Sequence, residues 1–339
     1  MNELSTKSKL HVRISAFVDW IAPDPETREE IEKQTDEIRD RITDKATKDG
    51  LEITASMKSG SFAKRTGLRR HMLGKSEVEG QDVDISFVVK SQKEDSYELS
   101  PLVNKFLKYA TDSYPKTEKE PTKSSVKLKF TNTLCYDLVP LFSTKDPEKQ
   151  VLVRSTGERI VTSVQKHTDF IRDRTQMSNK MKGVVLFNEC ARLMKWWRDF
   201  RCSEGNYLTD VPSIIIDVLC AKAFDKYSVK TTYAHTLAEW LTYLAHVVRK
   251  KDPIWFGSSR PPVEAGGTNN WQVLDPVNPD NNLAQRLKPY EVDELGEWFE
   301  NSRDTLSRAI AADMTGDDDR SLDQMVSLFG NPFKNHCNE

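Results

Sequence analysis

The sequence is poor in the features that fix a chain covalently, in a bilayer or on a polyanion. Its five cysteines (Cys135, Cys190, Cys202, Cys220 and Cys337) are scattered, with no Cys-x-x-Cys pair. That spacing argues against a disulfide framework and for reduced thiols. It argues equally against zinc, since His336-Cys337 stands in a polar tail without a companion pair. No apolar run approaches the ~20 residues that a membrane helix needs. Met1 to Leu10 lacks the apolar core of a signal peptide. An excess of one charge is missing too: 50 Lys and Arg against 52 Asp and Glu leave a formal net charge of −2. Without a global positive field, nucleic-acid binding would need a local patch. The expectation is a soluble, cytoplasmic protein that engages no membrane and requires no nucleic acid.

What is present falls into two halves. At 339 residues the chain can hold one large or two ordinary domains around sizeable cores. Residues 26–49 read as an exposed amphipathic helix, started by Pro25 and stopped by Gly50, with Ile31, Ile38, Ile42 and Ala46 near one face. Strands are expected at about 51–59, 82–90, 125–131 and 134–142, a helix near 101–112, and a further short strand at Val151-Leu152-Val153. From about 159 the apolar spacing turns helical, with candidates near 159–174, 178–200, 212–227, 231–249 and 281–310. The predicted organisation is an α+β sheet domain over 1–158, including the N-terminal helix, and a mostly helical lobe over 159–339. Residues 252–280, rich in Pro, Gly and Asn, form the longest irregular stretch, and such loops commonly border a functional cleft.

The chemistry concentrates in the first half. Asp82-Val83-Asp84 opens one expected strand and Asp137 interrupts another, Leu134 to Phe142. Side chains alternate along a strand, so Asp82 and Asp84 point to one face. A third acid on a neighbouring strand completes an anionic cluster that is unfavourable unless cations neutralise it, and two Mg²⁺ ions bound with nucleotide phosphates are the usual solution. The alternative is a set of exposed acids at strand ends, but Asp is disfavoured inside strands and all three interrupt good strand sequence. Gly60-Ser61 closes the stretch from Leu51 to Ser59 at a strand-to-loop junction. There glycine allows close backbone approach to a phosphate, and serine adds a hydroxyl donor. Gly316-Asp317-Asp318-Asp319 has no strand around it and reads as a solvated loop.

With these residues in order, the chain resembles the nucleotidyltransferase superfamily that includes polymerase β. More narrowly it is similar to the cGAS/DncV-like nucleotidyltransferases (CD-NTases) of bacterial anti-phage systems and to the related oligoadenylate synthetases. Gly60-Ser61-Phe62-Ala63-Lys64-Arg65-Thr66-Gly67 is similar to the family's glycine-serine segment, and Asp82, Asp84 and Asp137 match its metal-binding acids. Asn188 to Arg198, Val211 to Leu219 and Val273 to Asn282 resemble later segments, so the likeness runs from about residue 51 to 285. A long insert, Leu68 to Gln81, departs from the shorter spacings of the superfamily and is expected to form a mobile loop.

The resemblance implies a polymerase β-like sheet domain and a helical lobe with the active site in the cleft between them. It implies that Asp82 and Asp84 hold two Mg²⁺ ions (Mn²⁺ as an alternative), and that Asp137 completes the catalytic site and helps remove a ribose hydroxyl proton. Gly60 and Ser61 would grip the donor's β- and γ-phosphates, and Lys195 would reach the triphosphate. For Ser213, helix capping and phosphate binding stand level. Lys64, Arg65, Arg69 and Arg70 read as a solvated basic cluster in preference to a phosphate site. Of Trp196 and Trp197 one is expected in the core and one at the lobe interface, and Tyr207 and Tyr233 are candidates for base stacking. Asp275 to Asn282 reads as a structural turn. The implied activity joins nucleoside triphosphates into a cyclic oligonucleotide second messenger with release of pyrophosphate. It carries with it a downstream effector that senses the product and a regulatory partner protein. The alternatives are transfer of a single nucleotide to RNA, protein or a small molecule, and a catalytically silent nucleotide-binding module.

Overall fold

The computed structural model describes residues 8–69, 71–73, 76–78, 82–90, 99–122, 124–130, 134–153, 157–258 and 271–337, with the side chains of 71–73, 76–78, 82, 99 and 100 outside the description. In chain order its elements are α1 (Lys9–Ile21), α2 (Pro25–Lys48), β1 (Ile53–Ser59), α3 (Gly60–Lys64), β2 (His71–Leu73), β3 (Ser76–Val78), β4 (Asp82–Val89), α4 (Leu99–Ser113), β5 (Glu118–Pro121), β6 (Val126–Lys129), β7 (Cys135–Ser143), β8 (Gln150–Val153) and β9 (Arg159–Thr162). There follow α5 (Val164–Asn179), α6 (Phe187–Glu204), α7 (Ser213–Tyr227), α8 (Tyr233–Arg249), α9 (Pro289–Met314), α10 (Asp318–Phe329) and α11 (Asn331–His336). Contacts divide the chain into two units. One comprises Met1–Ala22, Met72–Val78 and Ile171–Glu339; the other comprises Pro23–His71 and Glu79–Phe170.

The second of these is the sheet unit. Its strands run in the order β1-β4-β7-β6-β5, with β8 on β7 and β9 on β8. β4 and β7 are parallel; the other described pairings are antiparallel. Alternation decides the faces. Val83, Ile85, Phe87 and Val89 of β4, with Tyr136, Leu138 and Phe142 of β7 and Val126 and Leu128 of β6, share a buried cluster with Phe106, Tyr109 and Ala110 of α4. α2 closes the same core. Its Ile31, Ile38, Ile42 and Ala46 are fully buried, so the apolar line expected to lie on an exposed helix is a core seam. Asp24 caps that helix by accepting from the Thr27 N–H at 2.9 Å, with Pro25 in its first turn. The Thr27 hydroxyl and N–H hold the Asp24 carboxyl below its ordinary range. The insert over 68–81 is not an irregular loop throughout, because β2 and β3 pair as a two-stranded ribbon.

The helical unit claims the N-terminus. α1 packs against α6, α8, α9, α10 and α11, so Met1–Ala22 belongs with the helices and not with the sheet domain as expected. The reason is its apolar stripe of Leu10, Ile14, Phe17, Val18 and Ile21, all buried. Phe17 meets Trp196, Phe329 and Phe333 at ring-centroid distances of 5.4, 5.7 and 5.0 Å. Ser8 caps α1 through the His11 N–H and donates to Asp313 at 2.7 Å. At the boundary expected between the two halves, residues 159–170 fall in the sheet unit and not with the helices, because Arg159–Thr162 forms β9 on β8.

Both tryptophans of α6 lie in the core, 1% exposed. Trp196 donates to the Phe329 carbonyl at 2.9 Å, and Trp197 donates to Ser302 at 2.7 Å while stacking on Phe299. The expected split between core and lobe interface fails because α6 is covered on opposite sides within one unit. Gly316 to Asp319 is also no plain loop. Asp317 caps α10 by accepting from the Arg320 N–H, and Asp318 and Asp319 fill its first turn, where the helix dipole favours acids. All five cysteines are free, and among the described residues no helix is long and apolar enough to cross a membrane. Phe17→Ala is expected to cost about 3–5 kcal/mol, as for other large aromatic truncations in cores. Chemical denaturation followed by tryptophan fluorescence reads this directly, because Phe17 borders Trp20 and Trp196.

Candidate active site

The acids of the sheet unit are brought together by strand register. In the parallel β4–β7 ladder Asp84 is the Cα partner of Asp137, and Asp82 is the partner of Cys135. Adjacent strands lie about 4.8 Å apart, so Asp84 and Asp137 are neighbours on the face opposite the core. Asp82 lies two positions earlier on β4; its side chain lies outside the described residues. Among the described residues no three His, Cys, Asp or Glu side chains group as a metal site.

Gly60 is fixed by this acid pair. β1 runs antiparallel to β4 with Ser59 opposite Asp84, which sets the next residue against the carboxylate. Gly60 has φ +68°, and a Cβ there would lie 1.8 Å from Asp84 Oδ2 and 2.9 Å from its Cγ. Glycine is therefore required by the acid itself, a reason additional to the phosphate approach read from the sequence. Beyond it, the Thr66 N–H donates to the Ser61 carbonyl at 3.0 Å, and Arg65, at φ +60°, ends α3. Ser59 Oγ donates to the Asp84 carbonyl at 3.2 Å and shares a hydrogen bond with Ser86 Oγ at 2.9 Å. In the basic cluster, Lys64 is buried and Arg65 exposed, so it is not one solvated patch; Arg70 lies outside the described residues.

Two residues not singled out in the sequence hold Asp137. Ser125 Oγ donates to its Oδ1 at 3.1 Å, and Lys127 Nζ lies 4.0 Å from its Oδ2. Lys127 is the Cα partner of Asp137 across the β6–β7 pair. The signal for both was the alternation of β6: Val126 and Leu128 turn into the core, so Ser125 and Lys127 turn toward the acids. The donor set is carboxylate oxygen, the chemistry that suits Mg²⁺ or Mn²⁺ and not zinc or copper.

The helical unit holds the other expected residues. Lys195 of α6 pairs with Asp217 of α7 at 2.8 Å, and both side chains are buried. Asp199, one turn further along α6, pairs instead with Arg198. Ser213 is the first residue of α7, but the N-cap is Pro212 and no side chain caps the helix. Tyr233 is buried, stacks on His11 and donates to Glu189 at 2.9 Å. Burial first, and Glu189 second, push its phenol pKa up. Tyr207 is 68% exposed. Asp275 accepts from the Val277 and Asn278 N–H groups and from the Asn281 amide, the bonding of a turn. Lys195→Met should lower stability by about 3–5 kcal/mol, because it strands a buried carboxylate. Adding Asp217→Leu should recover most of that loss in thermal denaturation.

Comparison with known proteins places this geometry in a family. Residues 9–175 match the Second Messenger Oligonucleotide or Dinucleotide Synthetase (SMODS) domain. The chain is 25% identical over 261 residues to the cyclic AMP-AMP-AMP synthase of Escherichia coli strain MS 115-1, covering 75% of this chain and 76% of that one. It is 25% identical over 303 residues to the CBASS oligonucleotide cyclase CdnC of E. coli strain KTE188, covering 88% and 87%. The solved structure of E. coli MS115-1 CdnC with ATP superimposes with a TM-score of 0.78 at 21% identity, covering 95% of this chain and 98% of that one. CdnC in complex with a HORMA protein gives 0.76 at 22% identity over the same shares. At such identities the structures establish the fold. The sheet that sets Asp84 beside Asp137, the SMODS match and the CdnC likeness agree: the chain belongs to the CD-NTase family of nucleotidyltransferases.

Proposed function

We propose that this protein joins nucleoside triphosphates into a cyclic oligonucleotide, as the signal-producing enzyme of a CBASS anti-phage system. The observation that carries the reading is the Asp84–Asp137 register pair with Gly60 packed against it. A fold kept only for binding has no need of adjacent, mutually repelling carboxylates. Asp82, Asp84 and Asp137 would hold two Mg²⁺ or Mn²⁺ ions. When bound, the ions would lower the pKa of the attacking ribose hydroxyl and neutralise the triphosphate. Asp137 accepts the hydroxyl proton; the hydroxyl oxygen bonds to the α-phosphorus of the donor, the α–β phosphoanhydride breaks and pyrophosphate leaves. Ser125 keeps the Asp137 carboxylate oriented by its bond to Oδ1.

Gly60 and Ser61 bind the donor's β- and γ-phosphates through backbone N–H groups and the serine hydroxyl. Ser213 is assigned to phosphate because its helix carries no side-chain cap. Lys195 serves the triphosphate by exchanging Asp217 for it, an assignment that the double variant above discriminates. If Lys195→Met/Asp217→Leu restores product along with stability, the lysine is structural. A HORMA-type regulator and an effector that senses the product are the partners proposed, the first from the CdnC complex.

The test is incubation with all four labelled triphosphates and Mg²⁺, then phosphatase treatment and mass spectrometry. A phosphatase-resistant ring is expected. Only linear products, or label on added RNA or protein, would overturn the cyclic assignment. Asp84→Asn or Asp137→Asn should reduce product by roughly a thousandfold or more, the rate equivalent of several kcal/mol of lost charge stabilisation. Gly60→Ala should cost roughly a hundredfold by displacing Asp84. Gly50→Ala is its control: φ is +75° there but no atom lies within 4 Å. It should cost about 1–2 kcal/mol of stability and leave turnover unchanged.

A further inference from the structure

β6 carries two lysines on the face it shares with the acids, and the ladder gives them different tasks. Lys129 lies opposite Glu118, and Lys127 lies opposite Glu120. Yet both glutamates go to Lys129, at 3.2 and 3.0 Å. Lys127 turns the other way, to Asp137 at 4.0 Å, with side chains only 18% and 15% exposed. At that burial the pair is screened less than a surface ion pair. The Asp137 carboxylate is therefore engaged at both oxygens, by Ser125 at Oδ1 and by Lys127 at Oδ2. Its in-register neighbour is a second carboxylate, Asp84, and like charges so placed destabilise a sheet.

We propose that Lys127 is a built-in counter-ion of the acid pair, which a divalent ion must displace from Asp137 to enter, so that Lys127 sets the ion concentration at which the site fills. This rests on the reading that Asp84 and Asp137 hold divalent ions. Lys127 acts as a positioning residue. It holds the acids together before an ion arrives and competes with the ion afterwards. A surface lysine in an incidental ion pair would do neither.

The experiment uses the full chain without nucleotide. Melting temperature is measured in EDTA, and Mn²⁺ affinity by isothermal titration calorimetry. For the native protein Mn²⁺ should bind, and Asp137→Asn should remove that binding. Lys127→Met keeps the stem and deletes the charge. It should melt lower in EDTA and bind Mn²⁺ roughly tenfold more tightly or better, as removal of a close, poorly screened cation predicts. Lys127→Arg should behave as the native protein, and Lys129→Met should leave Mn²⁺ affinity unchanged. Should Lys127→Met fail to fold, Lys127→Gln carries the same expectation. Unchanged or weaker Mn²⁺ binding in the Lys127 variants, with binding still lost in Asp137→Asn, overturns the counter-ion role alone. Absence of Mn²⁺ binding in the native protein overturns the metal reading and this proposal together.

Discussion

Asp84 and Asp137 occupy paired positions on two parallel strands, where their charges repel. The sheet unit is arranged around that unfavourable contact. On the back of the same strands, Val83, Ile85, Phe87, Tyr136 and Leu138 are fully buried against α2 and α4, which supplies the burial that holds the register. On the front, the neighbouring strands bring what the acids need. β1 delivers Gly60, the one residue type without a Cβ to collide with Asp84, and β6 delivers Ser125 and Lys127 to Asp137. A slip of one residue in β4 or β7 would turn the acids into the core and the core residues toward solvent. Fold and site are specified by the same registers.

The helical unit shows the complementary economy on α6. Phe187, Cys190, Leu193, Met194, Trp196 and Trp197 are buried, and so are Asn188, Arg192 and Lys195. A helix covered on several sides cannot keep an ordinary amphipathic pattern, so its polar side chains must find partners indoors. Lys195 finds Asp217. A buried pair of this kind adds little net stability over an apolar pair but is costly to break one-sidedly.

Local pattern was enough for the strands that carry the acids, because Val83 to Val89 and Leu134 to Phe142 are short, mainly apolar runs of strand length rich in β-branched and aromatic residues. It was enough for α2, whose cap and stop residues sit where expected. It was not enough where elements are short or their neighbours decide. α3 has five residues, fewer than two turns. β5 contains Glu, Lys and Pro and is a strand only because β6 pairs with it. The stripe from Leu10 to Ile21 has helical spacing, but the partner it packs on comes from the distant segments around Trp196, Phe329 and Phe333.

By itself the sequence determined which residue types could do the chemistry and which face of each strand they take, since a period of two follows from backbone geometry alone. Its cysteine spacing and the length of its apolar runs also argued against a disulfide framework, a zinc cluster and a membrane-crossing helix. Only the tertiary structure decided that Asp84 stands beside Asp137 and not beside another residue of β7. It alone decided that Gly60 is obligatory because of Asp84, that Lys127 is given to Asp137 while Lys129 takes both glutamates, and that Lys195 is paired with Asp217. These are relations between different strands or helices. They depend on register and on competition among partners, and neither quantity is carried by any local stretch of sequence.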